Sequence, residues 1–469
     1  MAFKRVLAVA LCALGALTDA KITDHVQYKI RYGELAPRAV NLGGWLCAEY
    51  WMSYNSPLWK DVPKKVALNG EYATMQYLGQ EKGTEAFESH WSTWITEEDI
   101  KTISKTGLNT VRVTTGFWIV NDEDDSKSSD VSKTYARGSL KYLDKLINVW
   151  GEKYNLAVMV SLHALEGSQN GMDHSAPAVS GTVGWGANES TIDSSIQFAS
   201  FIADRYKDSP AFLGLNLMNE PNFPIPYDTL LPYYEKAYKK IRDAKNDCIL
   251  VTSPLLYNQG PGAMDDYMPC PDYYNVWHEY HIYFKWGWEN VAKDEIMRQA
   301  GTYRASHIDP WKGNPLFIGE WSLATPYESD LSDEDFAKFA AIQIKEYEAA
   351  RAGWAFWAWR HDDEKNATSA WSMRQLLEKG IISIPKDAPV RTKEVDSKCP
   401  TVDLETLMLS DGSSKDGSTE AGSDAGNSST AKPKEDSPSS SQVTPEPSSA
   451  KRLVVAISAV VVSMAALLL

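Results

Sequence analysis

Phe212-Leu-Gly-Leu-Asn-Leu-Met-Asn-Glu-Pro-Asn222 is a short apolar run that ends on a carboxylate, Glu220, and is stopped by a proline. Proline cannot donate to a sheet ladder, so a strand through this run has to end by Pro221. A second run has the same form: Leu316-Phe-Ile-Gly-Glu-Trp-Ser322, with its carboxylate at Glu320. A carboxylate at the end of so apolar a segment is dehydrated, and costly unless it has a partner or a task. A single strand-end glutamate is most simply a structural ion pair; two of them ask for a common explanation.

Working outward, apolar runs at 39–42, 110–113, 157–161, 214–219, 249–252, 276–283, 316–320 and 353–357 read as strands. Between them, segments such as 138–154, 192–206, 230–243 and 333–351 place apolar residues at three- and four-residue spacing and read as helices. Ser332-Asp-Glu-Asp335 has the capping chemistry of a helix start. Strand–helix alternation repeated in this way predicts an α/β fold, a (β/α)8 TIM barrel, with a doubly wound sheet as the competing topology. In a barrel the ends of the fourth and seventh strands meet over one mouth, and catalytic groups sit at that C-terminal face.

Two carboxyls so placed suit a retaining glycosidase, which needs them about 5–5.5 Å apart, one as nucleophile and one as general acid/base. Their environments must then hold their pKa values apart. Arg112, flanked by Val111 and Val113 in the second strand, is suited to keeping Glu320 ionised through a charge-assisted hydrogen bond. Seventeen tryptophans are a heavy load, and Trp45, Trp51, Trp118, Trp321, Trp357 and Trp359 lie near strand ends. Broad apolar faces with a polar edge suit pyranose rings, although most of these indoles are expected in the core. The histidines show no metal-ligand spacing, and neither a metal nor another cofactor is expected.

The ends carry processing signals. Residues 1–20 have a basic start, an apolar core and Thr18-Asp-Ala20, the form of a secretory signal peptide. Residues 21–400 are assigned to one folded unit and residues 401–452 to a Ser/Gly/Pro-rich stalk too polar to bury a core. Residues 453–469 form an apolar tail. With the small residues Ser439-Ser-Ser441 and a polar spacer before it, the tail reads as a GPI-anchor signal, a retained membrane span being the alternative. Cys47, Cys248, Cys270 and Cys399 remain after signal removal and allow three disulfide connectivities. Asn188, Asn366 and Asn427 head glycosylation sequons. The net charge of −15 argues against nucleic-acid partners and against membrane contact other than through the anchor.

These residues resemble glycoside hydrolase family 5, and within it the fungal-type exo-1,3-β-glucanases, from about Arg38 to Trp359. Arg38-Ala-Val-Asn-Leu-Gly-Gly-Trp-Leu46 is similar to the family's opening motif, with Glu49 where a sugar-binding glutamate is expected. Asn109-Thr-Val-Arg112 matches the buried arginine. His163 leads into Gly167-Ser-Gln-Asn-Gly-Met-Asp173, similar to a substrate loop. Asn219-Glu-Pro221 resembles the acid/base motif, with Asn219 on the sugar 2-hydroxyl, and Gly319-Glu-Trp321 the nucleophile motif. Glu279-Tyr-His-Ile-Tyr-Phe-Lys-Trp286 aligns His281 and Tyr283 with the pair beside the nucleophile, against a rival register using His278 and Tyr280. Trp357 and Trp359 complete the implied substrate set. The resemblance implies a monomeric, extracellular retaining enzyme on β-glucan. It depends on Glu220 as acid/base and Glu320 as nucleophile.

Ser161, His174 and Arg360-His-Asp362 depart from the family pattern around the substrate and leave the linkage open. The competing readings are a 1,6-β-glucanase, a glucan transglycosylase and a catalytically silent surface glucan-binding protein. The long segments 47–90 and 167–186 are expected to close the non-reducing end of the site, with Glu49 on the terminal glucose.

Overall fold

The computed structural model describes residues 24–124, 129–365 and 367–385. The signal peptide, stalk, apolar tail, Cys399 and the sequons at Asn366 and Asn427 lie outside them. Eight strands are present: β1 (Arg38–Leu42), β2 (Thr110–Gly116), β3 (Ala157–Ala164), β4 (Phe212–Asn216), β5 (Ile249–Thr252), β6 (Val276–Ile282), β7 (Leu316–Trp321) and β8 (Trp354–Phe356). Each pairs in parallel with the next, and β8 pairs with β1, so the sheet is a closed barrel. Closure removes the doubly wound alternative, which leaves two free edges.

The helices follow the apolar stripes: α1 (Val26–Arg31), α2 (Gln80–Trp94), α3 (Glu97–Ile103), α4 (Leu140–Lys145), α5 (Glu189–Tyr206), α6 (Tyr227–Asp243), α7 (Lys293–Ala300) and α8 (Asp333–Tyr347). Ser332 and Asp335 exchange side-chain and backbone hydrogen bonds in a capping box, which fixes the start of α8 where the sequence placed it. Two expectations change. The helix expected over 138–154 turns π-helical at Leu146–Gly151, and the link from β5 to β6 contains no helix.

The barrel interior near the strand starts is filled by Ala39, Ala157, Met159, Leu213, Ile249, Val251, Trp277 and Phe317, with Val26 and Ile30 of α1 packed onto them. Burying a side chain such as Val26 or Ile30 contributes about 1.5–3 kcal/mol, so the short α1 is held chiefly by its apolar face. It covers the N-terminal end of the barrel and leaves the C-terminal mouth for polar groups. Among the cysteines, Cys47 and Cys248 are buried free thiols and Cys270 is disulfide-bonded, so two of the four residues expected to pair do not. Asn188 is exposed at the cap of α5, accessible as a sequon requires.

Candidate active site

Glu320 lies one residue before the end of β7, where its backbone is held in register with β6 and its side chain is 4% exposed. One carboxylate oxygen accepts from Arg112 Nη1 at 3.0 Å, the other from the Tyr283 hydroxyl at 2.8 Å. Arg112 is fully buried on β2 and makes three further contacts. Nη1 donates to Asn41 Oδ1 at 2.9 Å and Nη2 to Asn219 Oδ1 at 3.0 Å, while Glu279 Oε1 sits 3.2 Å from Nη2. Both terminal nitrogens of this buried guanidinium are thus met, which offsets much of its dehydration, while Nε has no partner among the described residues.

Glu220 is built differently. It lies four residues past the end of β4, with φ at 48°, a left-handed conformation that non-glycine residues seldom adopt. Surrounding bonds hold it there: Asn219 N–H donates to the Leu162 carbonyl at 3.2 Å, and Gln169 Nε2 donates to the Asn219 carbonyl at 2.7 Å. Its two carboxylate oxygens meet His281 Nδ1 at 2.8 Å and His174 Nε2 at 3.3 Å. His281 Nδ1 is also 3.4 Å from Glu320, so this imidazole stands between the two carboxylates. One polar atom each of Glu220, His281 and Glu320 lie within 4.8 Å of one another. The carboxylates therefore face each other across the mouth at close range.

The electrostatics divide along the same line. Burial opposes charge on His281, but Glu320, Glu279 and Glu220 outweigh it and push its pKa up to about 10. Burial likewise opposes charge on His174, where Glu220, Glu49 and Asp173 push it up to about 9. Burial would raise Glu220; hydrogen bonds from His174 and His281 override it and hold Glu220 well below the ordinary carboxylate range. Burial dominates at Glu320 and leaves it raised, although His281 and Arg112 pull the other way. The charge-assisted bond expected from Arg112 to Glu320 is present and favours the ionised carboxylate, but dehydration is the larger cause and leaves the pKa raised. The raised values favour positive charge on both imidazoles at neutral pH.

The other sequence candidates are distributed around this pair. Asn219 places its amide nitrogen, buried and without a partner among the described residues, at the mouth. Glu49 is buried, takes the Trp51 indole N–H at 2.8 Å and leaves its second oxygen without a partner among the described residues; burial raises its pKa to about 8. His163 stacks on Trp357, with centroids 5.5 Å apart and planes 8° from parallel. Its ring lies 5.4 Å from that of His174, and Asp173 precedes His174 in the same turn. Of the two registers for β6, His281 and Tyr283 face the pair, while His278 is packed against Thr252. Trp359 is the exception. It is 1% exposed and donates its indole N–H to Asp99 of α3 at 2.9 Å, so it belongs to the strand–helix packing and not to the substrate set.

Two residues of the site were missed. Asn41 accepts from Arg112 and donates to the Gly319 and Phe356 carbonyls, tying β1 to β7 and β8. Glu279 is a further buried carboxylate, against Arg112, Asn216, Ser253 and His281. Its place two residues before His281 on one strand face was the available signal. Gly319 makes room for it, since a Cβ there would overlap Glu279 Oε1.

A closed parallel barrel with two facing carboxyls at its C-terminal mouth, one on a strand and one on the following loop of another, defines a glycoside hydrolase. The model of the family described as Cellulase (glycosyl hydrolase family 5) matches residues 75–363, and the chain belongs to that family. It is 27% identical to a glucan 1,3-beta-glucosidase of Pichia angusta over 393 residues, 74% of this chain and 86% of that one. It is also 27% identical to a probable glucan endo-1,6-beta-glucosidase B of Aspergillus terreus over 370 residues, 75% of this chain and 86% of that one. Among solved structures, rutinosidase from Aspergillus niger shares the fold, with a TM-score of 0.63 at 17% identity, covering 75% of this chain and 98% of that chain.

Proposed function

We propose that the protein is a retaining exo-1,3-β-glucosidase of cell-wall glucan, with Glu320 as nucleophile and Glu220 as general acid/base. The observation that carries this reading is the close approach of the two carboxylates, one oxygen of each lying within 4.8 Å of the other, which suits direct attack on the anomeric carbon better than an intervening water. Glu320 attacks as Glu220 gives its proton to the leaving oxygen. Glu220 then takes a proton from water, which releases the sugar from Glu320 with retained configuration. Asn219 offers its free amide to the 2-hydroxyl, and Glu49 its free oxygen to the terminal sugar.

Action at a chain end rests on contact between the two long loops expected to close the site. Cys47 Sγ donates to the His174 carbonyl at 3.0 Å, and Gly70, at φ 82°, runs so close to the Asp173 carbonyl that a Cβ there would meet it at 2.8 Å. Glu49 and Trp51 lie on that side. Early products from laminarin, pustulan and cellulose test the proposal. Glucose alone from laminarin is the expected result; a ladder of oligosaccharides makes the enzyme an endo-glucanase. Preference for pustulan would favour the 1,6-reading, which the equally similar 1,6-glucosidase relative supports.

Secretion and attachment through residues 453–469 complete the proposal; among the described residues no helix is long and apolar enough to cross a membrane. Release of the protein from its native membranes by phosphatidylinositol-specific phospholipase C is expected. A mature chain that retains residues 453–469 would make the tail a membrane span.

A further inference from the structure

His174 stands where the substrate loop departs from the family pattern, and its ring is placed on a carboxylate rather than on open solvent. Nε2 is 3.3 Å from Glu220 Oε2 and 3.0 Å from Asn170 Nδ2. The orientation of the Asn170 amide is fixed at both ends, since its oxygen accepts from Met172 N–H at 3.0 Å and its nitrogen also faces the Glu220 carbonyl at 3.2 Å. Asn170 therefore presents N–H to Nε2. These two neighbours make opposite demands. Asn170 is satisfied when Nε2 carries a lone pair, which requires the shared proton to be on Glu220. The Glu220 carboxylate is satisfied when Nε2 carries the proton. An imidazole held between a donor and a carboxylate in this way can pass its proton at little cost.

We propose that His174 is the proton store of the acid/base carboxylate: it holds on Nε2 the proton that Glu220 delivers to the leaving group. This rests on Glu220 being the acid/base. The steps balance. Nε2–H of His174 gives its proton to Glu220 Oε2, leaving a neutral ring that accepts from Asn170. Glu220 gives the proton to the glycosidic oxygen as the C–O bond breaks. In the second half, Glu220 takes a proton from the attacking water, and that proton returns to His174. The groups facing His174 are Glu220 from the β4 loop, Glu49 from the β1 loop, Asp173 beside it and His163 from β3. Three of the four are carboxylates, which favours the stored proton; His163, held neutral chiefly by burial, does not compete for it. Cys47 touches only the backbone carbonyl, and burial holds its thiol well above its usual range.

The pair titrates as a unit, so the proton should leave it at the upper value, about 9. This gives a test whose sign is diagnostic. Removing a cation beside a carboxyl raises that carboxyl's pKa if the cation acted only through its charge. If His174 stores the proton, its removal moves the alkaline limb the other way. In His174→Asn and His174→Gln, the alkaline limb of kcat/KM for a laminarioligosaccharide should move down by at least about one pH unit, a tenfold loss on the alkaline side. The ratio of kcat/KM for 2,4-dinitrophenyl β-glucoside to that for the oligosaccharide should rise by a similar factor at pH 8, because only the second leaving group needs the proton.

A limb that stays in place, with both substrates affected alike, makes His174 a sugar-binding residue and overturns the proposal. A limb that moves up makes it a fixed charge and overturns it too. Glu220→Ala measured beside them separates the two readings. No azide acceleration on the dinitrophenyl substrate removes Glu220 as acid/base and the proposal with it. Azide rescue with an unmoved limb removes the His174 proposal alone. Nitrogen-15 spectra of the wild-type histidines give a check that needs no active variant: His174 must keep its proton through pH 8, and a neutral ring at pH 7 overturns the store.

Discussion

The two sides of the cleft hold equivalent carboxylates by unlike means. On one side Glu320 is part of a strand, and it meets the Arg112 guanidinium and a phenol whose pKa is raised by burial and by Glu320. On the other, Glu220 stands beyond its strand in a left-handed conformation and meets two imidazoles. Permanent charge lies beside the group that must stay an anion to attack, and titratable charge beside the group through which protons pass. His281 touches both and joins the two sides into one network.

Substitutions can break this contrast or sharpen it. The largest loss belongs to Glu320→Gln, which should lower turnover of an aryl β-glucoside by more than about 10³-fold, the scale on which removal of a covalent nucleophile acts. A protein with an unchanged melting curve and more than a few per cent of wild-type rate would exclude Glu320 as nucleophile. Glu220→Ala should be milder on an activated leaving group, since its first step needs little protonation. Its second step should fall by about 10²–10⁴-fold and recover with azide, as glucosyl azide formation would report. Tyr283→Phe removes one charge-assisted bond, worth about 1.5–3 kcal/mol. It should lower kcat/KM by roughly ten- to a hundredfold without shifting the alkaline limb.

The imidazole side should reveal itself in stability as well. The His281 pKa is raised from 6.5 to about 10, so its folded-state contribution is complete below pH 6.5 and is lost as pH rises through about 10. Unfolding midpoints of wild type and His281→Gln should differ most near pH 6 and converge by pH 10; a constant gap would mean His281 contributes by packing. Trp359→Phe is the smallest expected effect. It should leave kcat/KM within about twofold and lower stability by about 1 kcal/mol, the worth of one hydrogen bond to Asp99. A change confined to substrate KM would return Trp359 to the site.

The barrel was legible because each strand is a short apolar run with a turn or helix signal beyond it, and the two glutamates because a charge at the end of such a run has no bland reading when it occurs twice. Asn41 and Glu279 were not legible from burial alone: they act on Arg112 from the adjacent β1 and from β6 across the barrel, and only barrel closure brings β1, β2 and β6 to one guanidinium. Trp359 failed for the reverse reason. It is two residues from Trp357, but past the three-residue β8 the chain no longer alternates as a strand does, and its ring turns to α3. His174 was noticed as a departure, yet its contact with Glu220 depends on the left-handed turn of residue 220, which nothing in Asn219-Glu-Pro221 announces.

Gly319 has a consequence for how this sequence can change over generations. Every amino acid reached from a glycine codon by one base change carries a Cβ, and a Cβ at 319 would fall on Glu279 Oε1. Glu279 cannot swing aside, being pinned by Arg112, Asn216, Ser253 and His281. No single mutational step out of position 319 is therefore open while Glu279 stays, and a random library sorted for activity should return glycine there as strictly as it returns the two facing glutamates. The position would look catalytic in such a screen although it has no side chain to offer a substrate. The reverse route is open: a shorter residue at 279 would have to be fixed first, and only then would 319 become free to vary.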